Sequence, residues 1–198
     1  MGDAQPLRIG VLAVQGGVAE HRAMLCSLGA QPVEVRLPEQ LEGLDGVILP
    51  GGESTTIGKL MVEYGLLGPL RARLRAGLPA YGTCAGMILL SGDLGGRQQP
   101  ALAVMDITVR RNAFGGQVDS FEHDLRVTGM EEPPFHAVFI RAPSIERLGA
   151  GVEPLARLDD GTPVAARQGH LLASSFHPEL GQDPRMHLLF LRLCSPRT

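Results

Sequence analysis

Gly82-Thr83-Cys84-Ala85-Gly86 sets a thiol between two glycines at the end of the apolar run 79–83. That spacing suits a nucleophile elbow, in which a strand turns sharply into a helix and lifts the central side chain above the sheet. A helix starting beside Cys84 presents unpaired N–H groups and a partial positive charge to the sulfur, which favours the thiolate. Such a nucleophile needs a base, and Ser175-Phe176-His177-Pro178-Glu179 follows a second apolar run, 171–173. In an extended chain positions i and i+2 face the same way, so Glu179 is expected to orient the His177 ring while His177 faces Cys84, with Pro178 keeping the piece extended. Cys84, His177 and Glu179 then read as nucleophile, base and orienting carboxylate of an acyl-transfer triad. Pro50-Gly51-Gly52-Glu53-Ser54, directly after the apolar run 46–49, supplies an oxyanion donor at the Gly52 N–H to pair with that of Ala85. Taken singly, each segment has a plainer reading: a buried free thiol, turn residues at a strand end, a tight turn capped by Ser54. Their conjunction points to chemistry.

The remaining candidates carry no partnered motif. Cys26 and Cys194 are expected to pack, and His21, His123, His136, His170 and His187 to be solvated or satisfied in the core. Three cysteines without ligand spacing argue against a disulfide framework, a metal site or a metal cofactor. Eighteen basic against 21 acidic residues, scattered along the chain, lack the basic stripe that nucleic acid requires. Apolar stretches such as 47–49 and 87–90 fall far short of a membrane span, and residues 1–6 carry no targeting signal, so a cytoplasmic protein is expected.

Elements must hold these groups together. Apolar runs at 7–14, 33–35, 46–49 and 79–83 read as buried strands, alternating with helical patterns at 18–28, 55–64, 67–76 and from Ala85. In the first of these helices Val18, Leu25 and Leu28 form the apolar face. Repeated βα units imply a parallel sheet covered on both faces. Further strands are expected at 102–109, 124–127, 137–140, 163–168 and 171–175, some of them antiparallel, before a helix over 185–193 that packs Leu188, Leu189 and Leu193 on the sheet. The expected fold class is α/β: one domain over 1–198, a three-layer, flavodoxin-like sandwich around a mostly parallel, mixed sheet.

The distributed segments Leu12-Ala13-Val14-Gln15-Gly16, Leu49-Pro50-Gly51-Gly52-Glu53-Ser54-Thr55-Thr56, Gly82-Thr83-Cys84-Ala85-Gly86-Met87, Arg111-Asn112-Ala113-Phe114-Gly115, Val118-Asp119-Ser120-Phe121-Glu122, Phe139-Ile140-Arg141-Ala142-Pro143 and Ser175-Phe176-His177-Pro178-Glu179-Leu180 resemble the class I, triad-type glutamine amidotransferases. The wording is nearest to the glutaminase branch that serves pyridoxal 5'-phosphate synthase, and the resemblance runs from about residue 7 to residue 193. It implies a hydrolase, and by association with the synthase a lyase, that needs no cofactor. Cys84 would become the γ-glutamyl thioester, and Gly52, Glu53, Ser54, Arg111, Ile140 and Arg141 would hold L-glutamine. Either arginine suits the substrate carboxylate, and residue types alone do not choose between them. Ammonia would pass to a separate (β/α)8 barrel synthase subunit. Gly116 stands where the family pattern carries a basic residue, a departure that touches a local surface and not the triad. A stand-alone glutaminase, the ammonia donor of another pathway, and a catalytically silent glutamine-binding domain are the competing readings.

Overall fold

A computed structural model of the chain describes residues 5–111 and 120–195. The sequence motif around Gly116, with residues 112–119, lies outside the described residues. Chain order begins β1 (Arg8–Leu12), α1 (Val18–Ser27), β2 (Gln31–Val35), β3 (Gly46–Leu49), α2 (Ser54–Glu63), α3 (Leu67–Arg75), β4 (Ala80–Thr83) and α4 (Ala85–Leu90). It continues with β5 (Ser91–Asp93), β6 (Met105–Arg110), β7 (Ser120–Leu125), β8 (Phe135–Ile140), β9 (Ser144–Leu148), β10 (Glu153–Arg157), β11 (Pro163–Gln168), β12 (Leu171–Ser174) and α5 (Arg185–Cys194).

Seven strands form the main sheet in the order β10-β11-β12-β4-β3-β1-β2. The five from β12 to β2 run parallel, and β11 and β10 are added antiparallel. Side chains alternate between two cores because a strand buried on both faces shows one residue to each in turn. Ile9 and Val11, Ile48, Tyr81 and Leu172 face one core, shared with Leu25 of α1, Phe190 of α5 and Phe139 of β8. Leu12, Val47 and Leu49, Ala80, Leu171 and Ala173 face the other, shared with Ile57, Leu70 and Met87 of α2, α3 and α4 and with Ile107 of β6. The expected α/β class with a covered, mostly parallel sheet therefore holds.

Two small sheets flank it, β5-β6-β9 and the antiparallel pair β7-β8. Periodicity gave no sign of β5, β9 or β10, and it set β7 four residues late. β7 reads Ser-Phe-Glu-His-Asp-Leu, with every second residue exposed, and β10 carries Pro154 at the sheet edge, where the missing donor costs nothing. In α5 the buried face is Met186, His187, Phe190, Leu191 and Cys194. The expected face of Leu188, Leu189 and Leu193 is only half-buried, because counting leucines overlooked Met186 and His187 as the residues that set the stripe. Cys194 does pack, against Gly46, and burial, reinforced by Asp45, pushes its thiol up to about 12; Cys26 is exposed, contrary to expectation. Among the described residues no helix is long and apolar enough to cross a membrane.

The winding of the sheet decides where its loops gather. From β1 the chain moves outward to β2 and returns on the other side of β1 to build β3 and β4. Open α/β sheets bind ligands at such a reversal, outside the carboxyl ends of the strands. The loops after β1, β3, β4 and β12 all emerge there, and two glycines let the layers close beneath them. A Cβ at Gly86 would fall on the Leu49 carbonyl, and one at Gly82 would meet the Gly86 carbonyl at 2.6 Å. Gly86→Ala should therefore force α4 off β3, at a cost of about 1–3 kcal/mol, readable as a lower urea midpoint with an unchanged slope.

Candidate active site

Cys84 sits between β4 and α4 with φ 49° and ψ −103°, a strained conformation for a residue with a Cβ. Backbone bonds on both sides hold it: Cys84 N–H donates to the Ser174 carbonyl (2.8 Å), and the Cys84 carbonyl accepts from Met87 N–H (3.1 Å). Its thiol points towards the Ile140 carbonyl, 4.0 Å away. Ile140 ends β8, and the next residue, Arg141, also has positive φ, 41°. Two of the three non-glycine residues with left-handed backbone among those described thus flank the same opening.

His177 and Glu179 arrive from the end of β12. The extended His-Pro-Glu segment expected from sequence is not what forms. Pro178–Leu180 is one turn of 3-10 helix with proline in its first position, where a fixed φ and a missing N–H are both tolerated. The Leu180 N–H donates back to the His177 carbonyl (3.3 Å) to close the turn. Glu179 still reaches the ring, by doubling back: its Oε1 lies 2.7 Å from His177 Nδ1. His177 N–H is fixed to the Val138 carbonyl at 2.9 Å, and the ring lines the same cavity as the Cys84 thiol. Burial works against a charge on His177, but the neighbouring Cys84 and the hydrogen bond and charge of Glu179 outweigh it and raise its pKa to about 10. Burial likewise opposes ionisation of Glu179, yet His177 and His21 together hold it below the ordinary carboxylate range.

The loop after β3 closes the site. A side chain at Gly51 would run into the His177 ring, so the backbone lies flat against the imidazole. Gly51 N–H donates to Thr83 Oγ1 (3.1 Å), and its carbonyl accepts from Gly17 N–H (3.1 Å). Gly16, at φ 110°, lies so close to the Gly51 carbonyl that no Cβ fits. Glu53, and not Ser54, caps α2: its carboxylate accepts from the N–H groups of Thr55 (3.1 Å) and Thr56 (2.7 Å). Burial works to raise the Glu53 pKa, but bonds from Thr56, Thr55 and Arg111 together outweigh it and bring it down to about 2. Arg111 is held by Glu53 Oε1 (2.8 Å) and Thr55 Oγ1 (3.0 Å). Arg141 is exposed at the rim.

A cavity of about 460 Å³ results, lined by Cys84, His177, Glu179, Gly52, Glu53, Ser54, Ala85, Arg111, Ile140 and Arg141. Every residue singled out from sequence is brought to it. So are others that were not, among them Gln15, Gly17 and Glu20. Gln15 Oε1 accepts the Glu53 N–H at 2.8 Å, locking the loop after β1 to the loop after β3. A glutamine beside two glycines after a strand was the available signal. His21 and Thr83 lie behind the cavity wall, both fully buried. Among the described residues no group of three or more His, Cys, Asp or Glu side chains converges on a metal-sized site.

The profile of the SNO glutamine amidotransferase family matches residues 11–196. A protein of Herpetosiphon aurantiacus named pyridoxal 5'-phosphate synthase subunit PdxT is 60% identical over 94% of this chain and 100% of its own length. A protein of the same name from Frankia alni is 60% identical over 93% of each chain. A solved structure described as a glutamine amidotransferase superposes with a TM-score of 0.90 at 55% identity, over 94% of this chain and 98% of its own. One expectation falls with these matches. A glutamine amidotransferase subunit cleaves an amide by hydrolysis, so the lyase class attached to this chain by association is withdrawn.

Because the folded-state pKa of His177 lies above its ordinary value of 6.5, the stability its charged form contributes is complete below pH 6.5 and is lost as pH rises through about 10. The stability advantage of the wild-type protein over His177→Asn should narrow across that window in urea unfolding at stepped pH. A constant gap would contradict the ion pair.

Proposed function

The chain belongs to the SNO glutamine amidotransferase family, and from that membership we propose that it hydrolyses L-glutamine to L-glutamate and ammonia as the glutaminase subunit of pyridoxal 5'-phosphate synthase. The observation that carries the reading is the gathering of Cys84, His177 and Glu179 in one cavity at the carboxyl ends of β4 and β12, with Glu179 bonded to His177 Nδ1 at 2.7 Å. In the proposed mechanism the Cys84 thiolate attacks the side-chain amide carbon, and the resulting oxyanion takes the N–H groups of Gly52 and Ala85. His177 gives its proton to the amide nitrogen, ammonia leaves, and the γ-glutamyl thioester remains. Water, deprotonated by His177, then attacks that thioester; glutamate departs and the thiol is restored.

The cavity suits the zwitterionic end of the same substrate. Arg111 and Arg141 offer guanidinium groups for the α-carboxylate, while Glu53 and Glu20 place negative charge for the α-ammonium. The Ile140 carbonyl and the Ser54 side chain complete the proposed binding set. The whole of 1–198 is taken as one amidotransferase domain. Relatives matched along their full length are named as synthase subunits, so the synthetic step is assigned to another chain, a (β/α)8 barrel that receives the ammonia within a hetero-oligomer. A cytoplasmic setting belongs to the proposal and is supported by three free cysteines.

Ammonia release from glutamine should be weak for the isolated chain, strongly stimulated by the synthase subunit, and abolished by Cys84→Ala, which leaves partner binding intact. Activity indifferent to the partner would move the chain to another pathway. Undiminished turnover by Cys84→Ala would remove the mechanism, and absence of turnover with and without the partner would leave a silent binding domain.

A further inference from the structure

Glu179 spends only one of its oxygens on His177. The other, Oε2, is buried, has no hydrogen bond among the described residues, and is faced at 3.4 Å by Nε2 of His21, on α1. That nitrogen also lies 3.2 Å from Thr83 Oγ1, the hydroxyl that accepts from Gly51 N–H. On the far side of the ring, His21 Nδ1 is 2.9 Å from Nε2 of His187, on α5. His187 Nδ1 ends the chain, buried and without a partner among the described residues.

That orphan atom sets the proton positions all the way back. A buried bare nitrogen is tolerated more readily than a buried N–H with no acceptor, so a neutral His187 carries its proton on Nε2 and donates to His21 Nδ1. A neutral His21 must then accept there and hold its own proton on Nε2, where it faces the Glu179 carboxylate and Thr83. The opposite tautomer would turn a lone pair on Oε2 and leave the His187 N–H stranded. Burial keeps both rings neutral: it lowers the His21 pKa, against a raising influence from Glu179, and together with His21 it takes His187 to about 3. The charged or titratable groups facing His21 are Glu179, His177 and His187 from other elements and Glu20 on its own helix.

We propose that His21, with its tautomer set by His187, is a positioning residue for the triad: its Nε2–H fixes the rotation of the Glu179 carboxylate and keeps Oε1 on His177, while sharing Thr83 with the Gly51 backbone. A line of five side chains, from Cys84 through His177, Glu179 and His21 to His187, then ties the nucleophile to α1 and α5 on one face of the sheet.

The inference rests on the glutaminase reading, and the test separates the two. Glutamine turnover, with the synthase subunit present, and alkylation of Cys84 by iodoacetamide across pH are measured for the wild type, His21→Leu and His21→Gln. His21→Leu should lower kcat roughly 10- to 100-fold with KM within about twofold, and shift the alkylation profile. His21→Gln, which returns an N–H donor, should recover most of the loss. Folded His21→Leu with wild-type kcat and profile would overturn the inference, as would equal impairment of both variants with a raised KM, the mark of a merely structural role. An inactive wild type would instead fault the glutaminase reading. If His21→Leu does not fold, imidazole nitrogen spectra of the wild type decide: a proton on His21 Nε2 is expected, and one on Nδ1 overturns the assignment.

Discussion

Keeping the Glu179 carboxylate ionised while its side chain is 1% exposed is the constraint around which the site is organised. A lone charge at such a depth would protonate or pull the structure apart. Two imidazoles from different parts of the chain prevent it, His177 by a direct bond and His21 by facing the second oxygen. The compensation works in both directions, since the same carboxylate stabilises the protonated His177 that a thiolate at Cys84 would require. Four neighbouring loops and two helices are therefore not free to drift independently. Each carries a group whose partner lies on another.

Room for this arrangement comes from backbone lying directly on backbone. Gly86 rests on the Leu49 carbonyl, Gly82 on Gly86, Gly16 on the Gly51 carbonyl and Gly51 on the His177 ring. Any side chain in that stack would separate β3 from α4 or push the imidazole away from the thiol. The strained φ at Cys84 is held by its neighbours: Cys84 N–H is fixed to Ser174 on β12, beside His177, whose N–H is fixed to Val138 on β8. Rigid strands on either side absorb a cost of about 1–3 kcal/mol per strained residue, and the thiol is lifted clear of the sheet in return.

Much of the scaffold was legible in the sequence because buried parallel strands are short, apolar and bounded by turn residues. β3 and β11 fall where their apolar runs are, and the turn at Cys84 announced itself by two glycines whose positions leave no room for a Cβ. Strands whose exposed face is charged left a weaker trace or none: β7 was displaced and β10 gave no sign. In the candidate site, the residues that sit in a recognisable motif were readable, and His21, which sits in none and meets its partners only through the fold, was not. Pairing of His177 with Glu179 needs two positions of chain, whereas His21 meets His187 across 166 residues. Nothing in the local sequence around His21 distinguishes it from a solvated histidine until α1 is known to turn it inward. The 3-10 turn at Pro178 was missed for a related reason: proline excludes the interior of a helix but is well suited to its first turn.

Loop 50–54 links the two ends of the proposed substrate site. Gly51 supports the His177 ring, Glu53 both caps α2 and holds Arg111, and the Glu53 N–H is fixed by Gln15 from the loop after β1. A guanidinium already paired and oriented loses little freedom when it meets a second carboxylate, so its contribution goes to placement more than to raw affinity. In the proposed function, binding at the far end of the cavity and proton transfer at the near end would both depend on one short stretch of backbone anchored to Thr83, and through Thr83 to His21. Such a connection makes the position of the substrate's charged end and the alignment of the imidazole parts of a single arrangement. Turnover should then depend on the fit of the whole amino acid, and not on the reactivity of the amide alone.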